Sequence, residues 1–369
     1  VAGSAAGHGT RTRLVRGGVV PRGESSFEEP ALSSRRIHPA NIASFIIAAT
    51  LLSVSLVGLN TSLAEPVAAS HLERVESPGQ RQQTFYVYSE AMRRTIPVRV
   101  IRSADPVVPS PTLYLLNGAG GGEDAANWYN QTDIVEFFAN KNVNVVTPAE
   151  GAFSYYTDWL RDDPVLGRNR WTTFLTRELP PIIDAVLRTS RVNAIAGVSM
   201  SATSALNLAA AEPALYRAVA AYSGCASTSD PAGRAYIELV LARGGGNPEN
   251  MWGVADNPAW RANDALANAE RLRGKAIYIS SGTGLPGEAE ALTPTLTPAQ
   301  VNAKTNQMVL GGLIEAATNE CTHRFADRLS ALGIPAQVEF RPNGTHTWRY
   351  WQDDLHKSWP LLAAALGAE

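Results

Sequence analysis

The sequence predicts an α/β fold: a mostly parallel central sheet with helices on both faces and one irregular insertion near the active site. Three observations carry this. Short apolar runs of strand length recur along the chain. The later runs lack apolar–polar alternation, as strands buried on both faces do. Segments with helical spacing separate them, the alternation that builds a layered α/β sheet.

Taken in order, residues 84–89 (TFYVYS) and 96–101 (IPVRVI) read as paired antiparallel strands. Residues 112–117 (TLYLLN) and 143–148 (VNVVTP) are the first short apolar runs. Residues 192–197 (VNAIAG), 218–223 (AVAAYS), 276–281 (AIYISS) and 336–341 (AQVEFR) complete the strands. Between them, residues 172–187 place apolar side chains at helical spacing, and residues 201–213 form a small-residue helix. Residues 319–333 are amphipathic and stop at Gly333, a favourable helix end. Residues 353–366 close the chain as a last helix. Residues 228–273 show little periodicity and carry two tryptophans; they read as an insertion, either a lid over the sheet or a surface excursion.

The 369 residues are 45% hydrophobic and 18% charged, with a formal net charge of -2. That is the balance of an ordinary globular chain, and no basic patch suggests a nucleic-acid partner. The first 69 residues differ. Residues 1–39 are rich in Gly, Arg and Ser, then Arg35-Arg36 precedes the apolar run 42–59 (IASFIIAATLLSVSLVGL). A basic flank, an apolar run and small residues at the cleavage positions make a secretory signal, with cleavage after Ala64 or Ala69. The alternative is a retained anchor, since the run approaches spanning length. The long n-region and the leading Val1 fit an alternative start codon read as valine, so residues 1–39 are not expected to be structural. Residues 70–369 are then expected to form one catalytic domain. The two cysteines, Cys225 and Cys321, are expected to pair in an exported protein, the alternative being two buried thiols.

The stretch 194–203 (AIAGVSMSAT) places Ser199 between a strand-like run and a helix-like run. A serine on such a turn is the nucleophile elbow, usually G-x-S-x-G. Here Gly197 fills the first small position and Ser201 stands where the second glycine would be. A serine hydroxyl needs a base, a group that orients the base, and donors for the oxyanion. Among six histidines, only His346 sits in a turn directly after a strand-like run, where the base is expected. The acid is expected after the preceding strand, in the loop GTGLPGEAEALTP; Glu288 is preferred over Glu290. The oxyanion amides are expected from Met200 and from the GAGGGED loop, with Ala119 first and Gly120 next. That loop lacks the Lys-Ser/Thr of a phosphate loop. There is no H-E-x-x-H and no Cys/His cluster at ligand spacing, so neither a metal nor another cofactor is expected.

The segments LYLLNG, SYYTDW, TTFLTRELP, AGVSMSATSALNLAA, MWG…NPAWRAND and PNGTHTWRYWQDDL run in order through residues 85–355. On these the chain resembles the antigen 85 family of mycolyltransferases and their corynebacterial relatives, secreted proteins of α/β-hydrolase fold. The resemblance implies nucleophile, acid and base at Ser199, Glu288 and His346, and oxyanion donors at Met200 and Ala119. It implies transfer of a mycolyl group from trehalose monomycolate to a second trehalose monomycolate, to arabinogalactan or, among corynebacterial relatives, to protein. It also implies Trp159 and Trp348 lining the site, a monomer, a place in the cell envelope and contact with its outer lipid layer. One departure stands out. The family's sugar-binding loop carries Asp and Arg in an LDGLRA-like stretch, and Asn117 and Gly120 occupy those positions here. The same residues would also serve a plain secreted carboxylesterase, while a catalytically silent wall-binding protein would not need them.

Overall fold

The computed structural model describes residues 69–368. The expected leader and signal at 1–69 lie almost wholly outside the described residues. Among the described residues, no helix is long and apolar enough to cross a membrane.

Among the described residues, nine strands form one sheet: β1 (His71–Glu76), β2 (Gln82–Ser89), β3 (Arg94–Ile101), β4 (Thr112–Leu116), β5 (Asn144–Pro148), β6 (Asn193–Val198), β7 (Tyr216–Tyr222), β8 (Ala276–Gly282) and β9 (Gln337–Arg341). Their spatial order is β1-β2-β3-β5-β4-β6-β7-β8-β9. The first three strands and β5 pair antiparallel, and every pair from β5 to β9 is parallel. Strands β4, β5 and β6 are buried at every residue, which explains why their sequences carry no alternation.

The main helices are α1 (Leu179–Leu187), α2 (Met200–Ala211), α3 (Pro231–Gly244), α4 (Pro298–Asn306), α5 (Gly312–Ala331) and α6 (Trp348–Leu366). Strand side chains alternate between two cores. Tyr114, Leu116 and Ile195 join Ile183 of α1, Leu206 of α2 and Phe325 of α5 on one face. Leu113, Leu115 and Ala194 join Trp351, Leu355 and Leu362 of α6 on the other. The sheet is thus covered on both sides, as expected.

The structure departs from the sequence reading in three places. β1 was not expected, because its sequence HLERVE is charged and largely exposed; an edge strand tolerates such residues. The insertion at 228–273 is helical rather than irregular: α3 is followed by short helices at Pro248–Trp252 and Pro258–Ala262. Trp252 and Trp260 are buried in the main core, so this segment is anchored rather than free to swing. Finally, α5 begins seven residues before the expected start, preceded by a π turn at Gln307–Gly311. That extension decides the chemistry of the site.

Candidate active site

β6 ends at Val198 and α2 begins at Met200, leaving Ser199 alone on the turn between them. Its backbone sits at φ 57°, ψ -123°, a conformation that costs energy for any residue with a Cβ. The turn is held from several sides. Ser199 N donates to Tyr222 O on β7 at 2.8 Å, and Ser199 O accepts from Ala202 N at 3.0 Å. A Cβ at Gly197 would lie 2.2 Å from Ser201 O, so strand and helix approach as closely as a glycine allows. Ser201 completes the turn with its hydroxyl, accepting from Val198 N at 2.9 Å.

The Ser199 hydroxyl meets His346 Nε2 at 2.8 Å. His346 lies in the short connection between β9 and α6, where the sequence placed it. Its backbone N–H donates to Gly311 O at 3.1 Å, and Trp351 packs edge-on to the ring with centroids 4.8 Å apart. The other ring nitrogen, Nδ1, meets Glu315 Oε2 at 2.8 Å. Glu315 is fully buried near the start of α5. Its Oε1 accepts from Ser223 Oγ at 2.7 Å, Gly282 N at 2.6 Å and Arg341 Nη2 at 3.0 Å. A buried carboxylate needs hydrogen-bond partners of this kind for its oxygens.

Glu288, expected beside His346, does not reach it; the carboxylate on the ring is Glu315. Glu288 opens a short 3-10 turn, Glu288–Glu290, and is exposed. Its alternative, Glu290, is buried but faces elsewhere, accepting from Thr345 Oγ1 at 2.6 Å and Tyr350 OH at 2.8 Å. Through Thr345 it braces the loop that carries His346. The signal for Glu315 lies in its neighbours. Gly284 and Gly312 touch so closely that a Cβ at Gly284 would lie 2.2 Å from Gly312 O. This contact draws the start of α5 onto the end of β8 and carries Glu315 inward. Leu310 and Leu313 meanwhile stay exposed, so the apolar pattern of this helix start points away from the core and conceals it.

The other expected residues divide. Met200 opens α2, where the first amides have no partner within the helix. A Cβ at Gly118 would lie 3.8 Å from Ser199 Cβ, so the loop bearing Ala119 runs beside Ser199. Cys225 and Cys321 are bonded as a disulfide. Asn117, expected to contact substrate, is buried; its Nδ2 donates to Pro148 O at 3.0 Å and its Oδ1 accepts from Trp128 N at 3.2 Å. A buried amide is spent on such partners, and this one braces β4 against its neighbours. Gly120 offers no side chain, and a Cβ there would meet the Asp124 carboxylate at 2.8 Å. Trp159 is a core residue, 1% exposed, with its indole N–H on Ser154 O. Trp348 is half-buried and stacks edge-on against Trp128 and Trp351; it is Trp351 that touches His346.

Fold and site together define a serine-dependent esterase or acyltransferase of the α/β-hydrolase type. The esterase family model matches residues 89–362. The diacylglycerol acyltransferase/mycolyltransferase Ag85A of Mycobacterium tuberculosis is 32% identical over 301 residues, covering 79% of this chain and 83% of that protein. The protein of the same name from Mycobacterium leprae is 31% identical, covering 85% of this chain and 92% of that one. Among solved structures, MPT51 (FbpC1) of Mycobacterium tuberculosis superposes with a TM-score of 0.63 at 24% identity, over 81% of this chain and 99% of that one; at that identity it speaks for the fold. The chain belongs to the esterase family, within the antigen 85 group of mycolyltransferases.

Proposed function

We propose that the protein moves a mycolyl group from trehalose monomycolate to a hydroxyl acceptor through an acyl-Ser199 intermediate. The observation that carries this is the continuous hydrogen-bond chain from Ser199 Oγ through His346 to Glu315, at 2.8 Å on each side of the ring. Ser199 attacks the ester carbonyl and passes its proton to His346 Nε2, while Glu315 fixes the Nδ1–H tautomer and stabilises the imidazolium. Amides of Met200 and Ala119 receive the oxyanion. Collapse expels trehalose, which takes the proton from His346. An acceptor hydroxyl then gives its proton to the same nitrogen, attacks the acyl-enzyme and releases Ser199.

Further observations support the substrate class. Exposed Leu285, Val309, Leu310 and Leu313 belong to the two segments hydrogen-bonded to the His346 loop, an apolar surround suited to a long acyl chain. The named activity of the Ag85A relatives is of this kind. The signal-like run at 42–59 and the disulfide suit an exported, envelope-located enzyme, working as a monomer at the lipid layer. The acceptor is a separate matter. Asn117 is engaged in the scaffold and Gly120 is bare, so the Asp and Arg of the resembling family's sugar loop have no counterpart in place. An acceptor that does without them, such as a protein hydroxyl, fits this loop.

The test is incubation of purified protein with trehalose monomycolate, alone and with candidate acceptors, and chromatography of the products. Dimycolate or an acylated acceptor supports the transferase. Free acid with trehalose in every mixture identifies a hydrolase instead. Ser199→Ala is expected to remove all product while remaining folded.

A further inference from the structure

The carboxylate on His346 is not held by His346 alone. Arg341 is the last residue of β9, and the sheet register pairs it with Gly282, the last residue of β8. The two therefore reach the same oxygen: Gly282 N and Arg341 Nη2 both donate to Glu315 Oε1, together with Ser223 Oγ. Ser223 in turn accepts from Trp351 Nε1 at 3.0 Å, and Trp351 is the ring that packs on His346. The guanidinium fork has a second arm. Its Nη1 donates to Asp354 Oδ2 on α6, which also accepts from Ser280 Oγ of β8 at 2.8 Å. Glu315 and Asp354 are both fully buried, and the Arg341 side chain is 8% exposed. The Tyr350 ring lies 5.3 Å from the guanidinium carbon.

We propose that Arg341, itself anchored by Asp354, is a positioning residue for the acid of the site: it holds Glu315 Oε1 so that Oε2 faces His346. This rests on the serine mechanism proposed above. Three features argue for it over a purely architectural pair. First, Arg341 splits the two carboxylate oxygens by role, one for the scaffold and one for the ring. A guanidinium can span two carboxylates in a fixed geometry, and a lysine cannot. Second, the charge count changes during the reaction. With the imidazole neutral, the buried groups facing one another are one cation, Arg341, and two carboxylates, Glu315 and Asp354. When His346 takes the serine proton, cations and carboxylates are equal in number. The cluster is thus built to accept a positive charge at the ring. Third, burial pulls the Arg341 guanidinium down, but Asp354 and Glu315 outweigh it and hold it above its ordinary value. It remains a cation throughout.

The experiment reads the reactivity of Ser199 without an acyl substrate. The probe is an alkyl fluorophosphonate: the serine oxygen bonds to phosphorus, the P–F bond breaks, fluoride leaves and the serine proton goes to His346. The labelling rate is measured between about pH 5 and 9, with thermal unfolding of each variant as the fold check. In Arg341→Met, the acid limb of the profile is expected to move up by about 1–3 pH units, since a cation beside the cluster no longer disfavours protonation. Labelling at pH 7 falls as a result, by at most tenfold for each unit the limb moves. Arg341→Lys keeps the charge and is expected to restore the limb toward its wild-type position, with only part of the rate. Asp354→Asn removes a negative charge and is expected to move the limb the other way. Labelling of Arg341→Met within twofold of wild type with an unmoved limb overturns the proposal. So does a lysine variant whose limb matches that of the methionine variant. If Arg341→Met does not fold, Asp354→Asn decides, and an unmoved limb there overturns the proposal. Ser199→Ala is expected not to label; labelling of that variant at the wild-type rate would remove the serine mechanism itself, a different failure.

Discussion

Ser201 Oγ accepts the amide of Val198 at 2.9 Å, three residues back across the nucleophile. The same hydroxyl lies 3.1 Å from both Leu116 O and Val198 O, and its single proton is shared between these two acceptors. A glycine at this position would leave the Val198 N–H without that partner at a buried strand end. Ser201 is therefore a fitted part of this elbow rather than a lapse from the motif. Ser201→Gly, although closer to the usual motif, is expected to destabilise the protein by about 1–3 kcal/mol. Urea unfolding would show it; equal or greater stability in the glycine variant contradicts the role given to this hydroxyl.

The contact of buried Glu315 with His346 makes a paired prediction. Glu315→Gln keeps the shape and removes the charge, and turnover is expected to fall by about 10²–10⁴. Glu288→Ala is expected to leave turnover within a factor of two. The reverse ranking in a steady-state ester assay would return the role to Glu288.

At Gly197 the constraint is steric. An added methyl would lie 2.2 Å from Ser201 O and 2.5 Å from Ser201 C, both backbone atoms of the helix that follows. Gly197→Ala is expected to cost about 3 kcal/mol or more. A melting temperature unchanged from wild type would show that the elbow has slack that these contacts deny.

The Cys225–Cys321 bridge spans 96 residues. Closing a loop of that length removes about 4–5 kcal/mol of disorder from the unfolded chain on the loop-entropy account. The paired serine variant is expected to lose stability of that order in calorimetry or denaturant unfolding. Because Cys321 shares α5 with Glu315, and Cys225 lies two residues after Ser223, the same variant is expected to lose activity before it unfolds.

Asp354 predicts a pH signature in stability. Burial raises its carboxyl to about 6, against the pull of Arg341, from an ordinary value of 3.8. Between those values the folded state binds more protons than the unfolded chain, so this group lowers stability as pH rises. The window is about pH 4 to 6, and the effect is on the order of 3 kcal/mol. Asparagine does not titrate. The stability difference between wild type and Asp354→Asn should therefore shift toward the variant across that window, whatever its offset. A difference independent of pH would show that Asp354 does not bind the proton there.

Much of this architecture was legible because it is local. Unbroken apolar runs mark β4, β5 and β6, and a serine between such a run and small residues marks the elbow. His346 stood out because it lies in a turn directly after a strand-like run near the end of the chain. What escaped depends on contacts remote in sequence. Glu315 reaches His346 only because Gly284 and Gly312 let α5 press against the end of β8, and no periodicity records that contact. The roles expected for Asn117 and Trp159 failed for a related reason. Residue type suggests a polar or aromatic ligand contact, but the Pro148 carbonyl and the Ser154 carbonyl had already claimed their polar atoms. The helices of 228–273 were obscured by Gly244-Gly245-Gly246 and by prolines at 248 and 258, which end and start helices rather than exclude them.

The disulfide has one more consequence, for proteolysis. The ring closed by Cys225 and Cys321 contains β8, the exposed segment 291–297 and Glu315, whereas Ser199 and His346 lie on the two chain arms outside it. A protease that nicks 291–297 cuts the backbone without releasing a fragment. The arm with Ser199 and the arm with His346 stay tethered through sulfur, and two bands separate on a gel only after reduction. A preparation can thus run as intact under non-reducing conditions while the segment leading to Glu315 has been severed.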